Sequence, residues 1–474
     1  MMTVSTKTKN IVIVCLLAWH IWCQFNWSTL RSSISTGGDL QVEFHVLPDL
    51  FELDDLFRKE HDRIDSESHT IRCQRYGFSY NTENNNNKQP RRIFVGMPIA
   101  DDNMETVIMQ AVENYNLFHT VVFSESNRTQ DGTPRTLRFA KESPDWNQLT
   151  KTHLFGANTN IVVDYWLGGN DWTADTDTDT TSSNGGKAAN GFDYQGTHRN
   201  SIVQNFKKAG MRRDDVALIA DVDEIVSRDF IRAVQYCDIP VWRQSQNYTC
   251  FRPKVITAAI NFEGSPHCIT KNIGFHPDFC IGACVEHIGD PTGRIVPERE
   301  YRREYGRRAK GFGHPQDRGQ YPAKVVPFGR YPLFSGEDFR QTEGATELSN
   351  YVKRQGQGET HQYGISFHIH NFFDDLEKVR NKYLTYGESQ HHKGKQFQKH
   401  ICAISNMQFT CQCFRKLDEY DGFRQPYEEI GGPKPIYFLN ATYRKWRHRL
   451  MGEMIIADEK IHGTSHPNVP ITLT

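Results

Sequence analysis

Neither sign of charge is in excess in this chain. Lys and Arg number 56, Asp and Glu number 57, and the formal net charge is −1. A balance this close supplies no electrostatic footprint for nucleic acid or any other polyanion. A long membrane-spanning run is missing too. The apolar stretch near the start, Ile11 to Phe25, covers 15 residues and is interrupted by His20 and Gln24. That is short for a span and within the range of a signal-peptide core. No small-residue cleavage pattern of the Ala-x-Ala kind follows it. Zinc-ribbon spacing is absent, since Cys280-Ile-Gly-Ala-Cys284 and Cys411-Gln-Cys413 do not fit it. No internal repeat is evident.

What is present points to the secretory pathway. Lys7 and Lys9 precede the apolar run, and a positive flank on that side keeps the N-terminus cytosolic. The expected topology is a cytosolic tail over 1–10 and an uncleaved signal-anchor over 11–27, with the rest of the chain lumenal. A cleaved signal peptide is the alternative. A short anchor suits the thin membranes of the early secretory pathway, such as the Golgi. Nine of the 11 cysteines lie beyond the anchor. In an oxidising lumen several should pair. Nine is odd, so one thiol stays free or bridges two chains. Sequons stand at Asn26, Asn127, Asn247 and Asn440. Asn26 hugs the membrane, which leaves Asn127, Asn247 and Asn440 as the expected glycosylation sites.

Residues 28–88 are polar and end in an Asn-rich tract, so they read as a stem, although Cys73 to Tyr80 could already touch the domain. The lumenal domain is expected over 89–450, with a C-terminal tail over 451–474. Its first strand is Arg92 to Gly96. Asp102 and Glu105 make a capping box for a helix. Met104, Val107, Ile108, Ala111, Val112 and Tyr115 fall on one face of that helix. Phe118 to Phe123 and Ile161 to Trp166 are the next strands. A helix with Ile202, Val203 and Phe206 turned inward should end at Gly210. Val216 to Ala220 is a further strand, and a helix capped at Ser227 follows. Strand and helix alternate, so the fold class is α/β, with a mainly parallel sheet and helices on both faces. Residues 173–190 carry Asp175, Asp177 and Asp179 in alternation but lack the glycine and closing acid of a calcium loop, and read as a disordered insertion.

The chemistry gathers where the Val216–Ala220 strand stops. Asp221-Val222-Asp223-Glu224 puts three carboxylates at a C-terminal strand end, where open α/β sheets bind their ligands. Packed carboxylates repel and need a positive partner. A hard divalent cation carrying a phosphorylated substrate answers that need. The alternative is a charged loop before the next helix, and Glu224 in particular reads either as a further ligand or as a helix-start charge.

Three blocks then resemble glycosyltransferase family 17, which contains the bisecting N-acetylglucosaminyltransferase of N-glycans. The first is Glu125-Ser126-Asn127-Arg128-Thr129 with Gly132 to Arg135 and Leu137 to Phe139. The second is Asp214 to Val216 with Asp221 to Ile225 and Arg228-Asp229. The third runs from Phe367-His368 through Lys382 to Gly387-Glu388. The resemblance implies a GT-A-like nucleotide-sugar fold that uses UDP-GlcNAc as donor and a mannose of a glycoprotein N-glycan as acceptor. It implies that Asp223 binds Mn2+ (or Mg2+) directly, and that Asp221 binds it through water or holds the ribose. His368 would complete the metal shell. Glu125, at a predicted strand end, would face the donor, or the segment forms a turn with Asn127 and Thr129 or a used glycosylation site; Arg135 reaches a phosphate or packs at a loop.

The family's bond forms with inversion, so a carboxylate must deprotonate the acceptor hydroxyl. The candidates are Asp338 and Glu337, in Ser335-Gly336-Glu337-Asp338-Phe339, and Glu286. Acidic residues also suit any helix N-terminus. His368 and His370 alternate along a probable strand, so both rings face one side; a packed histidine is the alternative. Arg302, Arg303, Arg307, Arg308 and Lys310 could close over a diphosphate or form a solvated face. A metal-dependent hydrolase and a catalytically inactive glycan-binding relative are the competing functions.

Overall fold

Two helices open the described chain, α1 (Asp55–Asp65) and α2 (His69–Arg75). The computed structural model describes residues 55–80, 89–100, 103–129, 134–167, 191–240, 242, 254–257, 259–267, 269–274, 277–289, 333–336, 339, 365–375, 378–379, 382 and 434–462. Composition alone placed 55–80 in a stem. They pack on the domain instead, and the reason is a set of long-range ion pairs that local composition cannot reveal.

The chain then alternates as expected. Strand β1 is Ile93–Ile99, helix α3 Met104–Glu113, β2 Thr120–Ser126, α4 Pro144–Lys151 and β3 Asn160–Trp166. Helix α5 is Gly191–Lys208, β4 Val216–Ile219, β5 Glu224–Val226 and α6 Arg228–Tyr236. The cap of α3 is Asn103, whose side chain accepts from the Glu105 N–H, rather than Asp102. Ser227 caps α6 by accepting from the Phe230 N–H, as read. Helix α5 ends at Gly210, which takes φ +78°. There the Met211 N–H returns to the Phe206 carbonyl at 3.0 Å, the left-handed stop that glycine makes easy. The short β5 was not foreseen, because Glu224 reads as the start of a helix.

Strands β6 (Val255–Ile256), β7 (Ala259–Glu263), β8 (Ile269–Gly274), β9 (Asp278–Ile281) and β10 (Ser366–His370) complete two sheets. The first has the order β3-β2-β1-β4-β9-β6, parallel from β3 to β4 and antiparallel thereafter. The crossovers β1→β2 and β2→β3 step one way across the sheet, and β3→β4 steps back past β1. With right-handed connections, α3 and α4 lie on one face and α5 on the other. Side chains agree. Phe94 meets Phe206 of α5 with ring centroids 5.9 Å apart, while Phe123 meets Phe139 at 5.0 Å on the opposite face. The sheet is therefore parallel-rich with helices on both sides.

The second sheet has the order β5-β10-β7-β8. Its core joins Ile225, Ile260, Phe262, Phe367 and Ile369 to Met109 of α3 and to Phe438. Phe438 lies in a short 3-10 turn, Ile436–Leu439, that leads into helix α7 (Ala441–His462). Asn440 caps this last helix by accepting from the Tyr443 N–H at 3.0 Å. The helix continues past 450, and Met451 and Met454 are buried, so the domain does not end where the tail was drawn.

Cysteine usage matches an oxidising compartment in part. Cys73 of α2 is bonded to Cys237 at the end of α6, and Cys284 is also disulfide-bonded. Cys280 is a buried free thiol. Burial pushes that thiol well above its usual range. Among the described residues no helix is long and apolar enough to cross a membrane. The expected anchor over 11–27, the insertion over 173–190, the 302–310 basic run and Asn247 lie outside the described residues.

Candidate active site

Sheet order locates the site. Strands β2 and β3 lie on one side of β1, and β4 on the other. The C-terminal edge between β1 and β4 is thus a topological switch point, the crevice where open α/β sheets bind ligands. Strand β4 delivers Asp221 and Asp223 to that edge. The turn is tightly braced: the Asp221 N–H donates to the Glu224 carboxylate and the Glu224 N–H to the Asp221 carbonyl, both at 2.9 Å. Glu224 is buried. Its carboxylate therefore closes the turn, and its residue opens β5, not a helix. Gln110 of α3 holds the same turn by donating to the carbonyls of Val222 and Glu224.

Three side chains face these aspartates from different parts of the chain. Arg199 of α5 donates to Asp221 Oδ1 at 2.9 Å. On the other side, strand β10 pairs with β5 so that His368 stands opposite Glu224. The Ile369 N–H donates to the Asp223 carbonyl at 2.7 Å. This registry brings His368 Nε2 to 3.4 Å from Asp223 Oδ2. Lys382 Nζ lies 3.5 Å from the same oxygen and 5.5 Å from the centroid of the Phe373 ring. Burial opposes ionisation of Asp223, but His368 and Lys382 outweigh it and hold the carboxyl far below the usual carboxylate range. For His368, burial works downward and Asp223 upward, and the imidazole ends raised.

The donor set suits a divalent cation held from one side. Neighbouring ligands on an octahedral ion with bonds of about 2.1 Å lie about 3 Å apart, close to the spacing of Asp223 Oδ2 and His368 Nε2. Asp221 keeps its side chain 35% exposed. Among the described residues no group of three or more His, Cys, Asp and Glu surrounds one point. Two protein ligands leave most of a coordination shell to water and to the oxygens of a bound ligand. Such a partial set would leave room for a bound ligand's oxygens, and it differs from a closed structural zinc site.

Other expected residues fall elsewhere. Glu125 is fully buried at the end of β2. Its Oε1 accepts from Arg135 at 2.7 Å and from the Arg138 N–H at 2.5 Å, and its Oε2 accepts from the Phe139 N–H at 2.9 Å. Both carboxylate oxygens are thus taken up in tying down the 135–139 loop, and Arg135 is the partner of Glu125. Glu286 lies past β9, where its backbone N–H donates to the Phe334 carbonyl at 2.9 Å. Strand β9 is antiparallel to β4, so the chain after Ile281 leaves at the end where β4 begins, and the Gly282 N–H donates to the Asp215 carbonyl at 2.8 Å.

Arg228 and Asp229, read with the metal block, are a clamp for the N-terminal helices. Arg228 grips Asp65 at 2.7 and 2.9 Å, and Asp229 accepts from Arg72, Arg75 and Tyr76. Glu337 and Asp338 lie outside the described residues. They follow Gly336, which packs so closely on α5 that a Cβ there would sit 1.8 Å from the Arg199 carbonyl oxygen. Asn127 follows β2, where its backbone N–H donates to the Trp166 carbonyl.

Arg199, Lys382 and Glu263 carry no role in the sequence reading. Glu263 ends β7, which is parallel to β10. A carboxylate at the C-terminal end of a short apolar run is the same signal that singled out Asp221 and Asp223. Arg199 gives no such sign, being one basic residue in a polar stretch of helix.

Residues 56–248 match the sequence profile of glycosyltransferase family 17. The span opens at α1, takes in Asp221 and Asp223, and closes before His368. No curated protein sequence matches the chain.

Proposed function

We propose that this chain, whose residues 56–248 form a glycosyltransferase family 17 region, is a metal-dependent, inverting glycosyltransferase that moves N-acetylglucosamine from UDP-GlcNAc to a mannose of protein N-glycans. The observation that carries the reading is the meeting of Asp223, His368 and Lys382 at the sheet's switch point. An acidic pair just past β4, with a histidine from the second sheet and Lys382 beside it, suits a diphosphate and its counter-ion.

Asp223 and His368 would hold Mn2+ or Mg2+, with Asp221 reaching it through water. When bound, the ion neutralises the charge that builds on the departing diphosphate. The protein's own groups do the rest. Lys382 supplies a fixed positive charge beside Asp223, and Arg199 restrains the Asp221 carboxylate. Gln110 fixes the turn backbone, so the carboxylates need no reorganisation as donor binds. Asp338, with Glu337 beside it, is carried forward as the base that takes the acceptor hydroxyl proton; Gly336 brings the preceding chain against the helix of Arg199. The GT-A-like fold, a type II Golgi anchor over 11–27 and glycosylation at Asn127, Asn247 and Asn440 belong to the same reading.

The experiment is a donor screen with the full chain in detergent. UDP-GlcNAc and other UDP-sugars are offered with an N-glycan acceptor, with and without Mn2+, and UDP release and acceptor mass are followed. The expected result is one added N-acetylhexosamine from UDP-GlcNAc, dependent on the metal. Free sugar without acceptor gain would point to a hydrolase. Glycan binding with no turnover would point to an inactive relative.

A further inference from the structure

We propose that Nε2 of His370 binds a sugar hydroxyl beside Asp223, held for that task by Glu263 and Asn371. The inference rests on the glycosyltransferase reading and adds a substrate-binding residue to it.

Parallel pairing of β7 and β10 places Glu263 and His370 opposite one another at a shared C-terminal end. The Glu263 side chain is only 3% exposed. Its Oε2 lies 2.7 Å from His370 Nδ1, and its Oε1 accepts from Asn371 Nδ2 at 2.6 Å. Asn371 takes φ 57°, a left-handed conformation that Asn tolerates better than most residues. A carboxylate engaged in this way accepts, so Nδ1 carries the proton. Nε2 is then left to bond a group outside the pair. The His370 side chain is 28% exposed, and Nε2 has no partner among the described residues.

The ring stands 5.3 Å from that of His368, on the same side of β10, and His368 in turn faces Asp223. The occupant follows from geometry. With Nδ1 taken by Glu263, the partly exposed ring offers one hydrogen-bonding position at Nε2, which suits a single hydroxyl. Next to a donor-sugar site, that hydroxyl belongs to either the transferred sugar or the acceptor glycan.

The test compares the full chain with His370→Phe, His370→Gln and Glu263→Gln. Three quantities are read: the KM for acceptor glycan, the KM for UDP-GlcNAc, and the equilibrium affinity for UDP with Mn2+. Thermal melting checks each variant's fold. Loss of one hydrogen bond to a neutral hydroxyl should raise one KM roughly five- to tenfold. Glu263→Gln should raise the same KM. His370→Gln, whose amide oxygen can accept, should recover part of the loss, and UDP affinity should not change. A rise in the acceptor KM assigns the hydroxyl to the glycan. A rise in the donor KM assigns it to the transferred sugar. Unchanged KM values in folded His370→Phe would overturn the inference. So would equal failure of His370→Phe and His370→Gln with lowered melting temperatures, or a fall in UDP affinity. A wild-type chain that transfers no sugar fails the functional reading before any variant is compared, and takes the inference with it.

Discussion

His368 Nε2 stands 3.4 Å from Asp223 Oδ2, although the two residues come from distant parts of the chain. The family match covers residues 56–248, and His368 reaches the site from outside that span. The pairing of β10 with β5 sets the distance, and the Ile369–Asp223 backbone bond fixes the register.

Lys382 reaches the same oxygen and would supply a fixed positive charge for an anionic donor. Lys382→Met should raise the KM for donor roughly tenfold or more, with little change in melting temperature, because a charge near a phosphate is worth a few kcal/mol at most in a wet site. Steady-state kinetics at varied donor concentration check this. An unchanged donor KM with a lowered melting temperature would make Lys382 a structural residue.

Asp65 holds α1 to α6 through Arg228 and Arg232. Burial would raise its pKa, but the hydrogen bonds from Arg232 and Arg228 prevail and bring it down to about 2. A depressed carboxylate stabilises the fold above its unfolded pKa, and that contribution is lost as pH falls through the folded value. Asp65→Asn should therefore cost about 2 kcal/mol or somewhat less at neutral pH. The difference from wild type should shrink between pH 4 and 2. Denaturant melts across that range provide the check.

The Cys73–Cys237 disulfide closes a loop of 164 residues. Chain entropy alone puts its effect near 5 kcal/mol, and native bridges typically contribute about 2–5 kcal/mol. Cys73→Ser should lower stability by an amount in that range and loosen α1 and α2. Hydrogen exchange should show faster exchange in residues 55–80 than in β1 to β4.

Glu125 and Arg135 are a buried ion pair. Removing one partner leaves a buried charge, so Glu125→Ala should cost about 3–5 kcal/mol. The loss should appear as reduced folded yield and melting temperature. A folded variant with a selective defect in donor KM would return Glu125 to the donor site.

Much of the first sheet was legible in the sequence. Apolar runs of four to seven residues with amphipathic helices between them gave β1 to β4, and Ser227 and Gly210 mark helix ends by chemistry that acts over a few residues. The Asp-x-Asp placement was legible for the same reason. What escaped depends on contacts distant in the chain. Helix α1 buries only Phe57 and His61, so it looks like a solvated stem until Asp65 meets Arg228. Strand β5 has three residues and exists because β10 pairs with it. Glu125 ends a strand at the ligand-binding edge, and only the 135–139 loop folding back shows that its oxygens are occupied.

The most direct test of the central claim is sugar transfer by wild type and Asp223→Asn, with Mn2+ and after thorough chelation. Asp223 faces His368 and Lys382 at the sheet's edge, so the variant should fold. Losing the anionic ligand should cost several kcal/mol at the transition state, a fall in rate of about three orders of magnitude. Chelation should silence wild type, and Mn2+ should restore it. Transfer by Asp223→Asn at the wild-type rate, or wild-type activity that survives chelation, would contradict metal-dependent transfer at Asp223.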